Sequence, residues 1–254
     1  MKHENFGGNR QNDSQEFIRL FLEDINNELN EVENKPEYRE LNYKENLSVK
    51  ENNIEYKKFF SKYENSIVID SFYIQILNTY ICDCGYKSYS FQKFFDIPLL
   101  IPENVKTITL TEILDLYFGT EEIEFNDACL KCNKKLPDKK EQKISIIPEI
   151  LILSLQRIDK IKNIKIDCIV NFDDKIDISK YIEKDCGSDN MIYNLYGVIN
   201  HQGSLDFGHY YSYIKNINND NIWTKFDDIY VSNIGTNIDN LHSYILFYIK
   251  NVIN

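Results

Sequence analysis

The chain has 254 residues, 43% of them apolar, and a formal charge of −11 from 29 basic and 40 acidic side chains. That composition describes one large or two small globular domains and not a disordered chain, while the acidity argues against nucleic acid as a partner and suits a basic surface. The most apolar run, residues 146–155, is too short to cross a bilayer, so no membrane partner is expected; six cysteines in this length fit a reducing cytosol or nucleus better than a disulfide framework.

The first ten residues are polar and lack the apolar stretch of a signal peptide. Residues 12–30, NDSQEFIRLFLEDINNELN, predict the first helix. Asp13 is a favourable N-cap and Glu16, three residues on, completes a capping box. Phe17, Leu20, Phe21, Ile25 and Leu29 recur at helical spacing and are expected to form one core-facing stripe. Residues 31–66 are charged and Asn-rich and read as an insertion or long surface loop, with a helical piece at most.

From Ile67 onward the apolar pattern alternates as strands do, with a turn at CDCGYK. Residues 109–119, TLTEILDLYFG, predict a short helix with a threonine cap and a terminal glycine. The segments KISII, EILILSLQRI, NLYGVINH, HYYSYIKN, IWTKFDD and YILFYIK read as further strands.

Two cysteine pairs fall in turns. Cys82 and Cys84 form C-x-C and Cys129 and Cys132 form C-x-x-C. Two turns that each present two thiolates can close a tetrahedral zinc site and staple a ribbon that has little core of its own. Four free thiols are the plainer alternative. Cys168 and Cys186 stand singly and read as inert.

The segments GHYYSYIKN and NIWTKFDD flank a polar turn near residues 218–219. That hairpin sets His209 opposite residues 228–229, with Asp227 a cross-strand or diagonal neighbour. Either Asp227 or Asp228 is placed to orient the imidazole. A histidine so oriented can turn a weakly acidic thiol into a thiolate nucleophile. Gly208 is expected to leave room for a substrate backbone. A surface histidine beside two solvated carboxylates fits the same spacing.

Taken in order, RQNDSQEFIRLFLEDINNEL, SFYIQILNTYICDCGYKS, CLKCNKK, PEILILSLQRI, VNFDDKIDISKYI, YNLYGVINHQGSLDFGHYYSYIKN, IWTKFDD and YILFYIK resemble the successive motifs of the ubiquitin-specific proteases, from about residue 7 to residue 250. The resemblance implies an α+β, papain-like fold of thumb, palm and fingers, with mainly antiparallel β palm and fingers and an incomplete helical thumb. It divides the chain into a thumb helix (1–33), an insertion or loop (34–66), fingers (67–147) and palm (148–250). It implies thiol-dependent hydrolysis of the bond after the C-terminal glycine of ubiquitin, with ubiquitin or a ubiquitinated protein as partner. His209 falls at the general base, Asp227 at the triad carboxylate and Asp228 beside it. Cys82, Cys84, Cys129 and Cys132 fall at or near the positions for a structural Zn2+. Asp13 and His201 fall where the family holds ubiquitin's basic tail, with Tyr210 along the same cleft.

Two departures accompany the resemblance. The family's first knuckle is C-x-x-C, which would put a cysteine where this chain has Ile81. The family's cysteine box, G-N-T-C-Y-M-N, has no counterpart here, and the first cysteine is Cys82. The expectation is therefore an incomplete protease domain whose nucleophile is missing from this chain, or a pseudoprotease that binds ubiquitin without cutting it.

Overall fold

The computed structural model describes residue 6 and residues 11–251, apart from 40, 42, 45, 125–127, 135, 136, 160, 161, 163, 185, 188–190, 205, 206 and 217–221. The hairpin turn expected near residues 218–219 lies outside the described residues. The elements run α1 (Ser14–Glu28), α2 (Val49–Phe60), α3 (Ile67–Phe72), β1 (Ile74–Ile81), β2 (Lys87–Phe94), β3 (Ile97–Leu100), β4 (Thr107–Thr109), α4 (Leu110–Tyr117), β5 (Glu121–Glu124) and β6 (Pro137–Ile146). They continue with β7 (Ile150–Gln156), β8 (Ile158–Asp159), β9 (Ile164–Lys165), β10 (Ile169–Asn171), β11 (Lys175–Asp177), β12 (Ile192–Gly203), β13 (Gly208–Lys215), β14 (Trp223–Asp227), β15 (Tyr230–Gly235) and β16 (Ser243–Lys250).

The palm is one large sheet in the order β15-β14-β13-β12-β16-β7-β3, with β11 added beside β12. Its pairs are antiparallel except β3 with β7. The fingers are a separate antiparallel sheet, β2-β1-β6-β5. Few helices accompany these sheets, so the α+β class and mainly antiparallel character agree with the expectation.

The palm is covered on both faces, which explains why β7 reads as an unbroken apolar run and not as an alternating one. One face packs Leu153, Leu155, Val198, Trp223, Leu246 and Tyr248 with Ile113 and Leu114 of α4. The other packs Ile152, Tyr244 and Ile245 against Leu22 of α1 and Val68 of α3.

Helix α1 departs from the expected stripe. Phe17, Phe21 and Leu29 are exposed, and the buried positions are Gln15, Leu22 and Asn26, with Ile18 and Ile25 packed alongside. Phe6, Phe17 and Phe21 form an outward aromatic row, with centroids 5.7 and 5.6 Å apart. Polar contacts fix which face turns inward. Gln15 Nε2 donates to Asp96 at 2.7 Å and Arg19 Nε to the same carboxylate at 2.6 Å, while Gln156 Nε2 donates to Gln15 Oε1 at 2.8 Å.

The stretch expected as a surface loop contains the 12-residue α2, capped by the reciprocal Ser48–Glu51 box. It packs on the fingers. Tyr56 meets Phe91 at 4.8 Å, Tyr43 stacks on Tyr89 at 4.4 Å, and Asn53 Nδ2 donates to the Ser145 carbonyl at 2.7 Å.

Candidate active site and finger-tip cysteines

His209 lies near the start of β13 and Asp227 ends β14. The pairing Ser212↔Phe226 through Lys215↔Trp223, carried on by one step, puts Asp227 opposite Tyr211 and diagonal to His209. His209 Nε2 and Asp227 Oδ1 are 2.6 Å apart. The imidazole nitrogen facing the carboxylate carries the proton of the neutral ring, which leaves Nδ1 as the proton acceptor. The imidazole is reachable from solvent: the His209 side chain is 47% exposed.

Asp227 has a second partner, since Lys225 Nζ stands 2.7 Å from its Oδ2. Lys225 and, next, His209 hold the Asp227 carboxyl below the usual carboxylate range. Of the two aspartates that sequence spacing left open, Asp227 is the one in hydrogen-bond contact with the imidazole. Asp228 occupies the first position of the turn between β14 and β15, with φ 52°, a left-handed conformation that aspartate tolerates better than most residues. Its carboxylate still approaches the pair, each of the three groups having a ligand atom within 4.8 Å of the others.

Asp13, His201 and Tyr210 come together one strand away. Asp13 caps α1: its Oδ1 accepts from the backbone N–H of Gln15 at 2.7 Å and of Glu16 at 3.1 Å, the aspartate half of the expected capping box. Its Oδ2 accepts from the Tyr244 hydroxyl. His201 stacks on Tyr210 at 4.5 Å and meets Tyr244 edge-on at 5.8 Å. Burial, and then the Lys165 charge, push His201 down to about 4, so its imidazole is neutral at physiological pH. Lys165 Nζ donates to the His201 carbonyl at 2.8 Å and the Gly203 carbonyl at 2.7 Å, fixing the end of β12.

Gly208 has a different reason from the expected one. A Cβ there would lie 1.9 Å from His201 Nε2. The missing side chain makes room for the neighbouring histidine ring, so the space is filled from within the chain and not kept for a substrate backbone. Gln11 reinforces this junction: its side-chain amide donates to the Gly208 carbonyl at 3.1 Å and accepts from the Gly208 N–H at 3.3 Å.

Sequence reasoning did not find Gln11, Tyr244, Lys165 or Lys225. Only Lys225 carried a local signal, because residues two apart on a strand share a face.

The finger tips bring the four cysteines together. Ile81 of β1 faces both Lys87 of β2 and Lys139 of β6, so the β1–β2 turn and the β5–β6 connection meet at one end of the sheet. Each knuckle is a tight turn with a left-handed residue, Gly85 at φ 82° and Asn133 at φ 56°. Cys82 Sγ is 3.7 Å from Cys132 Sγ, Cys84 Sγ is 3.7 Å from Cys129 Sγ, and all four sulfurs lie within 4.8 Å of one another. Four thiolates bound tetrahedrally at a Zn–S length of about 2.3 Å stand about 3.8 Å apart. The Cys132 backbone N–H holds Cys129 down at about 7. Four thiols this close cannot all ionise without a cation among them, and an all-sulfur set suits zinc. The C-x-C spacing is accommodated because Gly85 closes a turn tight enough to aim both sulfurs at the second knuckle.

Fold and site together define a mixed α+β domain built around a histidine–carboxylate hairpin and a four-cysteine finger tip. The ubiquitin carboxyl-terminal hydrolase family model matches residues 1–248. The chain is 30% identical over 252 residues to the chicken protein "Ubiquitin carboxyl-terminal hydrolase 2", covering 96% of this chain and 69% of that one. It is 29% identical over 251 residues to the human protein of the same name, covering 96% of this chain and 41% of the human one. Among solved structures, the SAGA DUB module Ubp8/Sgf11/Sus1/Sgf73 bound to monoubiquitin contains a chain that superposes with a TM-score of 0.77 at 25% identity, over 100% of this chain and 51% of that one. The chain belongs to the ubiquitin carboxyl-terminal hydrolase family and spans about half of the solved chain it matches.

Proposed function

We propose that this chain supplies the ubiquitin-gripping cleft and the acid–base half of a deubiquitinase that hydrolyses the bond after ubiquitin's C-terminal glycine. The observation that carries this reading is the 2.6 Å contact between His209 Nε2 and Asp227 Oδ1 in a chain of this family. His209 Nδ1 takes the proton of a thiol, and the thiolate attacks the glycine carbonyl carbon. The imidazolium then protonates the leaving amine, and His209 next activates the water that releases ubiquitin. Asp227 fixes the ring and stabilises its cation, with Asp228 alongside. Asp13 and the neutral His201–Tyr210 pair line the path for ubiquitin's basic tail, and the acidic charge of the chain suits that partner.

The thiol is not one of the six in this chain. Four gather at the finger tips, Cys168 is buried and donates to the Ile169 carbonyl, and Cys186 accepts from Asn53. That same placement favours a second reading for the chain by itself, a module that holds ubiquitin without cutting it. Cys82, Cys84, Cys129 and Cys132 would hold a structural zinc, which when bound cross-links the finger tips and takes no part in the reaction. Six free thiols suit a cytosolic or nuclear compartment. No helix among the described residues is long and apolar enough to cross a membrane.

The test is calorimetric binding of this chain to ubiquitin and to ubiquitin lacking its C-terminal tail. The reading predicts an affinity for the tailless form lower by at least about tenfold. Equal affinity for both forms would overturn the assignment of the cleft.

A further inference from the structure

We propose that Lys225 is a positioning residue for the His209–Asp227 pair: its ammonium, 2.7 Å from Asp227 Oδ2 and 4.4 Å over the Tyr211 ring, fixes the carboxylate so that Oδ1 meets His209 Nε2. The role rests on His209 being the base. The geometry rests on four neighbouring strand residues, His209, Tyr211, Lys225 and Asp227, and on nothing outside the chain.

The side-chain carboxylate of aspartate turns about a soft, roughly two-fold torsion. Asp227 ends its strand beside a two-residue turn, so its backbone does little to choose which oxygen faces the imidazole. His209 holds one oxygen. Lys225, two residues earlier and hence on the same face of β14, holds the other. Lys225 is itself held, because its ammonium rests on the aromatic face directly across the ladder from Asp227. The result is a fixed line, Tyr211 ring, Lys225 Nζ, Asp227 Oδ2 and Oδ1, His209 Nε2. It presents Nδ1 in one orientation before any substrate arrives.

Two further carboxylates stand near this line among the described residues. Asp228 stands in the turn beside Asp227, and Asp239, which accepts from the Tyr213 hydroxyl at 2.8 Å, acts on Lys225 and Tyr211 from the loop before β16. Lys225 is thus the cation that, ahead of His209, holds the Asp227 carboxyl low beside these carboxylates, and removing it raises that carboxyl towards its ordinary range. An ion pair this exposed adds little to stability, which separates a positioning role from a merely structural one.

The test uses this chain without ubiquitin, so its outcome is independent of whether ubiquitin is bound or cut. Chain labelled with 15N-histidine and 13C-aspartate is compared with Lys225→Met, Lys225→Gln and Lys225→Arg. The unaltered chain is expected to show neutral His209 as a single Nε2–H tautomer. Lys225→Met and Lys225→Gln should give a mixture of tautomers and move the Asp227 carboxyl titration to higher pH, with the His201 signals unmoved. Lys225→Arg, which restores a cation to Oδ2, should restore the single tautomer. A single unchanged tautomer with an unmoved Asp227 titration in both neutral variants would overturn the proposal. Disturbance of His201 to the same extent as His209 would overturn it too, since that is general loosening of the sheet.

Discussion

Gly208 and His201 occupy one another's space: the ring of His201 on β12 lies where the side chain of residue 208 on β13 would begin, 1.9 Å from an ideal Cβ. Gly208→Ala must therefore push the ring from its stack on Tyr210 or spread the two strands. Inserting a methyl into a filled site costs about 1–3 kcal/mol. Urea unfolding should show that loss, and Gly208→Ala combined with His201→Ala should be less destabilising than the sum of the two alone, with coupling of about 1 kcal/mol or more.

His201 also sets an acid-side dependence of stability. Its folded value of about 4 lies below the ordinary 6.5, so the unfolded chain binds the extra proton across that interval. Stability therefore rises with pH from about 4 to 6.5, is fully present above 6.5, and is lost as pH falls through the interval. The amount is of the order of 1–3 kcal/mol. Urea midpoints at pH 7, 6 and 5 should fall for the unaltered chain and fall less for His201→Gln. The Asp227 contribution lies lower, since its folded carboxyl is depressed and its share is lost only as pH falls below the ordinary aspartate range.

The finger tips should bind one zinc per chain. Chelation, or paired replacement of Cys129 and Cys132 by serine, should raise amide exchange in β1, β2, β5 and β6. Exchange in β12 and β13 of the palm should stay unchanged. Elemental analysis and hydrogen exchange check both parts, and zinc bound stoichiometrically to the double variant would contradict the four-sulfur assignment.

Helix α1 offers a contrast between its faces. Leu22, 8% exposed against the palm, should cost about 2–4 kcal/mol as Leu22→Ala. Phe17→Ser and Phe21→Ser, at 40% and 51% exposure, should each change stability by no more than about 0.5 kcal/mol. Equilibrium denaturation separates the two faces directly.

The sequence carried the features that are local. A turn with Gly85 or Asn133, a Thr109 cap, and a period-two strand ending in KFDD each announce themselves within a few residues, and the two cysteine pairs and the His209–Asp227 diagonal followed from them. What it did not carry depends on distant partners. The apolar residues of α1 cover more than half its circumference, so Phe17 and Leu22 are equal candidates for the core until Asp96 anchors Gln15 and Arg19. Asp13 looks like an ordinary N-cap because Tyr244, its second partner, lies 231 residues away. Residues 49–60 looked like loop because their Asn, Lys and Glu content hides a helix whose buried face rests on Asn52, not on an apolar stripe. Asn52 Nδ2 donates to the carbonyls of Lys44, Leu47 and Ser48.

The central claim is that Nδ1 of His209, held by Asp227, activates a thiol for attack on ubiquitin's C-terminus. The most direct measurement is reaction of this chain, joined to a segment that supplies a nucleophilic thiol, with ubiquitin carrying a thiol-reactive group at that C-terminus, beside His209→Ala and Asp227→Asn. The account predicts covalent capture by the unaltered protein, hydrolysis slowed by roughly 10³–10⁴ in Asp227→Asn, and loss of hydrolysis in His209→Ala with ubiquitin affinity within about threefold, under 1 kcal/mol. Turnover retained in His209→Ala would contradict it, and ubiquitin bound without capture would establish the holding module in its place.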